Sequence, residues 1–206
     1  MTDARNTSLA FVCVVAWLGA AASAGFLGIW SAIGGAAVLL GLAVLRFGQP
    51  SPSLLLKPSV RLVLLGAALG GLMAVVTYLA HPLVVRALPF IAHETERLYA
   101  AFRAPSLVVA AIALVPVVAG EELVWRGLVQ TSLVRRFGAW KGVSLAALLY
   151  ALALLPLGSP LLAVVALFCG LAWGALCALT ASLVPTLVAH LLWDVLVLLW
   201  LPLDTP

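Results

Sequence analysis

The chain has 206 residues, of which 65% are hydrophobic and only 9% are charged. Soluble domains carry about a quarter charged residues, so the composition excludes an ordinary soluble enzyme and describes an integral membrane protein. The net charge of +4 does not amount to a nucleic-acid interface, because the basic residues are spread over connections between apolar runs, where they act as topology signals.

At about 20 residues per spanning helix, the length suits roughly six to eight spans in one domain. Met1 to Thr7 is short and polar, with Arg5 as its basic side chain, and an apolar run follows from Ser8 to about Gly25. Ala22-Ser23-Ala24 resembles a signal cleavage site, but Asp3 precedes the run and apolar character resumes at Leu27, so an uncleaved first span is expected. The second span covers about Leu27 to Leu45, contains Gly34-Gly35 and ends at Arg46. A loop is expected at Gln49-Pro50-Ser51-Pro52-Ser53. The third span, about Val60 to Leu79, carries Gly66-x-x-x-Gly70, a spacing that permits close helix approach.

His81-Pro82 opens a long connection from Ala80 to Ser106, in which apolar and charged residues mix between Val84 and Arg103 as in a segment lying at the interface. His93, beside Glu94, has no second ligand at helical spacing and reads as a solvated histidine. The fourth span runs from about Leu107 through Val134, with Pro116 expected to bend it, and Arg135-Arg136-Phe137-Gly138 ends it. A fifth span covers about Val143 to Leu157, a sixth Leu161 to Leu179 with Gly170-x-x-x-Gly174, and a seventh Leu183 to Leu201. The fold class is therefore an all-α, polytopic transmembrane bundle of about seven spans. Arg46, Lys57 and Arg61 in one connection, and Arg135, Arg136 and Lys141 in another, place the N-terminus in the cytoplasm and the C-terminus outside. Cys13, Cys169 and Cys177 all fall in apolar runs and read as small buried hydrophobes.

Charges inside these spans are costly. Each Glu or Arg at the centre of a spanning helix costs about 2.5–3.5 kcal/mol, against about 0.3–0.6 returned by each Leu or Val. Yet Glu121, Glu122 and Arg126 all lie in the fourth span, and His190 and Asp194 in the seventh. Glu122 and Arg126 are four apart, on one helix face, with the acid in the better N-terminal position. Glu121 sits about 100° round the helix and cannot share Arg126 equally, which leaves it in low dielectric beside a like charge, surroundings that suit a general base. His190 and Asp194 are also four apart. The economical expectation is that both helices face one interior site, the alternative for the first trio being a salt-bridged packing device.

The combination Glu121-Glu122-x-x-x-Arg126-Gly127, then Pro185 and His190-x-x-x-Asp194, resembles the CAAX prenyl endopeptidase and bacteriocin-processing (CPBP, abortive-infection) membrane proteases, over roughly Leu107 to Leu199. The resemblance implies that Glu121 activates water, Glu122 and Arg126 support it, and His190 and Asp194 stabilise the oxyanion. It further implies a catalytic helical core over residues 107–206, preceded at 1–106 by N-terminal helices and an interfacial connection. The implied partners are a peptide or lipidated protein substrate at the membrane surface and the bilayer itself, with no nucleic acid. Candidate metal ligands are few, no metal is assumed and no cofactor is assigned.

The sequence departs from the family at one motif. A family Phe-x-x-x-His, whose histidine shares the catalytic water, aligns with Tyr150 and Leu154. Leucine cannot hold a water. Tyr150, one turn earlier, could offer its hydroxyl, although a phenol with an ordinary pKa of about 10 is a poor base. A catalytically impaired relative that binds a membrane partner is the alternative this raises, and a proton-coupled transporter ranks behind both.

Overall fold

Inside a bilayer the backbone of so apolar a chain can satisfy its own polar groups only as helix or closed barrel. In the computed structural model, which describes residues 2–48, 55–103 and 106–204, the solution is helical, with no strand among those residues. The helices are α1 (Thr2–Leu27), α2 (Gly35–Phe47), α3 (Val60–Ala87), α4 (Phe90–Phe102), α5 (Leu107–Glu122), α6 (Thr131–Phe137), α7 (Ala139–Leu154), α8 (Pro160–Thr180) and α9 (Val184–Asp194). Three π-helical stretches join or extend them: Trp30–Gly34 leads into α2, Leu123–Gln130 connects α5 to α6, and Val195–Trp200 prolongs α9. Among the described residues six helices are long and apolar enough to cross a membrane, and Val184–Trp200 is a shorter apolar one. The loop expected over Gln49 to Ser53 lies outside the described residues.

Local chemistry fixes several helix starts. Ser59, Ser106 and Ser159 cap α3, α5 and α8, their side chains accepting from the backbone N–H groups of Leu62, Val109 and Leu162. The third span is longer than the sequence suggests, because α3 continues through His81 and Pro82 to Ala87. Proline removes one intrahelical hydrogen bond, a loss that a helix packed in a bundle tolerates better than one in water, and Leu83, Val84 and Val85 extend the apolar helix beyond it. In the fourth span, α5 also continues through Pro116, and the irregularity lies after the acid pair, in the π-helical stretch.

Small residues set how closely the helices approach. A Cβ on Gly66 would strike the backbone carbonyl of Pro185, and one on Gly70 would lie 2.6 Å from the Ala189 carbonyl oxygen, so α3 and α9 touch backbone to backbone. Because Gly66 meets Pro185, Gly70 meets Ala189 and Tyr78 reaches Leu196, the two helices run parallel. Gly120, immediately before the acid pair, abuts the backbone of Ala37, and Gly41 faces Gly120 in turn, seating α5 on α2. Gly170 brings α8 against Ala147 and Tyr150 of α7.

The interior is built from Trp17, Trp125, Trp173, Val124, Leu183 and Val44, while Phe11, Phe26, Leu79, Ile112 and Phe168 point outward, as lipid-facing side chains do. Helix α4 is amphipathic: Ile91 and Thr95 are buried, and His93, Glu96 and Arg97 are exposed. It clasps its neighbours through Tyr99, whose hydroxyl donates to the Val197 carbonyl at 2.5 Å, and through Ser159, whose hydroxyl donates to Glu94 at 3.2 Å.

Candidate functional site

The five ionisable residues singled out in the spans meet at one place. Glu121 and Glu122 close α5, Arg126 lies in the π-helical stretch that follows, and His190 and Asp194 come from α9. All five are buried, Glu122 completely and Arg126 to 2% exposure. The wider π turn keeps the chain continuous through the charged segment, and the Thr131 hydroxyl donates to the Arg126 carbonyl at 2.9 Å.

Glu122 is the hub. Its Oε1 lies 3.0 Å from Nη1 of Arg126 and 2.9 Å from Nδ1 of His190. With Glu122 a carboxylate, the imidazole donates through Nδ1–H, which turns Nε2 toward the remaining acids. Nε2 is 3.4 Å from Oδ2 of Asp194 and 3.8 Å from Oε2 of Glu121. One imidazole thus ties Glu122 to the other two acids. The Glu122–Arg126 pairing and the His190–Asp194 proximity expected from spacing are both present, whereas the His190–Glu122 bond joins residues 68 apart and has no signature in local spacing.

Aromatic rings enclose the charges. The Trp173 ring stacks on His190 with centroids 3.8 Å apart and planes 22° apart. The Arg126 guanidinium carbon lies 5.0 Å from the Tyr150 ring centroid and 5.2 Å from that of Trp173, so the cation is held between two π faces. Tyr150 donates its hydroxyl to Oε2 of Glu121 at 2.9 Å. Leu154, one turn later, is buried in the apolar core.

Gln130 and Trp173 also line the site. Gln130 is buried and donates from Nε2 to the Gly174 carbonyl at 2.9 Å, locking the π-helical stretch to α8. It could have been found, since an amide four residues beyond Arg126 in an apolar span is itself a signal. Trp173 offers no such signal, because a tryptophan in a span is ordinarily packing. His93 lies apart from the site on the exposed face of α4, 3.8 Å from Glu96. The three cysteines are free and buried. Among the described residues, no group of three His, Cys, Asp or Glu converges so as to hold a metal ion. An apolar cleft of about 530 Å³ runs between α2 and α5, lined by Trp30, Val38, Leu39, Val109, Pro116 and Val117 among others, and ends about one turn before Glu121.

A sequence model of the family described as type II CAAX prenyl endopeptidase Rce1-like matches residues 103–196, which contain all five of these residues. No curated protein and no solved structure matches the chain. Residues 103–196, a little under half of the chain, are thus similar to the type II CAAX prenyl endopeptidases.

Proposed function

We propose that the chain is an intramembrane endopeptidase that hydrolyses a peptide bond with a water activated by Glu121. The observation that carries this reading is the meeting of the two charged helices: His190 Nε2 lies 3.8 Å from Glu121 Oε2 in a buried setting. In the proposed reaction the Glu121 carboxylate takes a proton from water as the water oxygen bonds to the scissile carbonyl carbon. The carbonyl oxygen becomes an oxyanion, stabilised by His190, which as the imidazolium keeps Nδ1–H on Glu122 and donates through Nε2–H beside Asp194, in a medium where such hydrogen bonds count for more than in water. Collapse of the intermediate breaks the C–N bond, and Glu121 returns the proton to the leaving amine. Glu122 and Arg126 do not touch substrate in this scheme; they orient His190.

The substrate is a peptide or lipidated protein presented at the membrane. The α2–α5 cleft offers room for hydrocarbon close to the acids. The N-terminus is assigned to the cytoplasm on the strength of Arg46, Lys57 and Arg61 after α2 and Arg135, Arg136 and Lys141 around the α6–α7 turn. Residues 107–206 supply the reacting groups, and 1–106 supply the helices that seat them.

The test is cleavage of prenylated and unlipidated peptides by the purified protein in detergent, with Glu121→Gln alongside. Glu121→Gln is expected to abolish turnover without unfolding the protein, and retained turnover would refute the assignment. A second reading, a binding protein that no longer cuts, is favoured by the aliphatic, buried Leu154 next to the site. It predicts a silent wild type and activity gained in Leu154→His.

A further inference from the structure

We infer that Tyr150 is a positioning residue for Glu121, its hydroxyl engaging one carboxylate oxygen so that the other faces the attacking water. The inference rests on the hydrolytic reading above and deepens it. Glu121 Oε2 accepts from the Tyr150 hydroxyl at 2.9 Å and is also the oxygen nearest His190 Nε2. A carboxylate with one oxygen fixed in this way loses its freedom to swing, and a base must be held within a few tenths of an ångström of its proton to be efficient. Tyr150 keeps its own proton throughout: the water proton passes to Oε1 of Glu121 and then to the leaving amine.

The phenol is built into place from three sides. The Trp125 ring lies against it with centroids 5.1 Å apart, the Arg126 guanidinium lies 5.0 Å from its centroid, and the Cα of Gly170 leaves space that a Cβ would fill 3.5 Å from the Tyr150 ring. The ring is therefore fixed by packing, and the hydroxyl is free to serve Glu121 alone. An arene at this position without the hydroxyl would keep every one of these packing contacts and leave Glu121 unheld. That separation makes the role testable by removing a single atom.

The experiment uses the full chain in detergent and compares wild type, Tyr150→Phe and Glu121→Gln. Loss of a hydrogen bond to a charged group predicts that kcat falls about 10- to 100-fold in Tyr150→Phe while KM stays unchanged. A purely structural tyrosine would instead lower thermal stability and leave kcat per folded molecule unaltered, and that result would overturn the proposal. A second readout does not need activity. Dicyclohexylcarbodiimide, an apolar reagent for protonated carboxyls in membranes, is expected to label Glu121 several-fold faster in Tyr150→Phe, followed by mass spectrometry of the peptide. If the wild type does not cleave, or Glu121→Gln still does, the hydrolytic reading fails and the positioning role falls with it; if cleavage holds but labelling is unchanged in Tyr150→Phe, the Tyr150 hydroxyl does not hold Glu121 and the proposal alone is overturned.

Discussion

The Glu122–Arg126 pair offers the sharpest quantitative test. At 3.0 Å and an effective dielectric of about 20, the gross attraction is about 5.5 kcal/mol. Desolvation of two fully buried ions offsets most of it, so the pair contributes little net stability, but removing one partner alone strands the other and costs about 3–5 kcal/mol. Arg126→Met removes the cation from Glu122 and leaves it His190 Nδ1 at 2.9 Å and the Thr186 hydroxyl. Glu122→Gln takes from Arg126 its paired carboxylate and leaves it between the faces of Tyr150 and Trp173. The double variant strands neither ion, so it should be no worse than the poorer single, giving a coupling of about 3 kcal/mol. Unfolding of the purified variants can be followed by tryptophan fluorescence, since Trp125 and Trp173 adjoin the pair. Additivity of the two single effects within about 0.5 kcal/mol would refute the account.

Gly70→Ala should destabilise by about 1–3 kcal/mol and lower turnover, because its Cβ would lie 2.6 Å from the Ala189 carbonyl and push α9 away just before His190. Gly71→Ala, with nothing within 4 Å, is the matched control and should behave as wild type. Equal effects from both would show that the α3–α9 approach does not position the histidine. Burial pushes the Tyr99 phenol, on α4 outside the spans, up to about 12. Its contribution to stability is complete below the ordinary phenol value of about 10 and is lost as pH rises from there toward the folded value. Tyr99→Phe should flatten this alkaline stretch of the melting curve against pH, and an unchanged slope would remove Tyr99 as its cause.

The spans and their order were legible in the sequence because apolar runs of spanning length have few other uses. Gly66 and Gly70 were legible as a close-approach motif, and the structure gives them a partner, the helix that carries His190 and Asp194. The Glu122–Arg126 and His190–Asp194 pairs were legible because each lies within one helix, where spacing fixes facing. The bond from His190 to Glu122, the stacking of Trp173 and the reach of Tyr150 to Glu121 were not, since each joins separate helices and depends on tertiary packing. Pro82 misled because a proline marks a boundary in water more reliably than it does within a bundle that resupplies its lost contacts. The π-helical stretch over Leu123–Gln130 has no sequence signature of its own.

The parallel run of α3 beside α9 has a consequence for the surrounding lipid. Val184–Trp200, eleven α-helical residues followed by six in π conformation, spans about 25 Å at the helical rise, less than the roughly 30 Å of a typical hydrocarbon core. Its neighbour α3, with 28 residues, spans about 42 Å. Acyl chains on that flank must shorten to meet one helix and accommodate the tilt of the other, at fractions of a kcal/mol per ångström of mismatch. Local thinning draws the headgroups and their hydration inward beside the helix that carries His190. A bilayer of short-chain lipids would accept this shape at lower cost than a thick, sterol-rich one, so membrane thickness becomes a variable in the protein's stability.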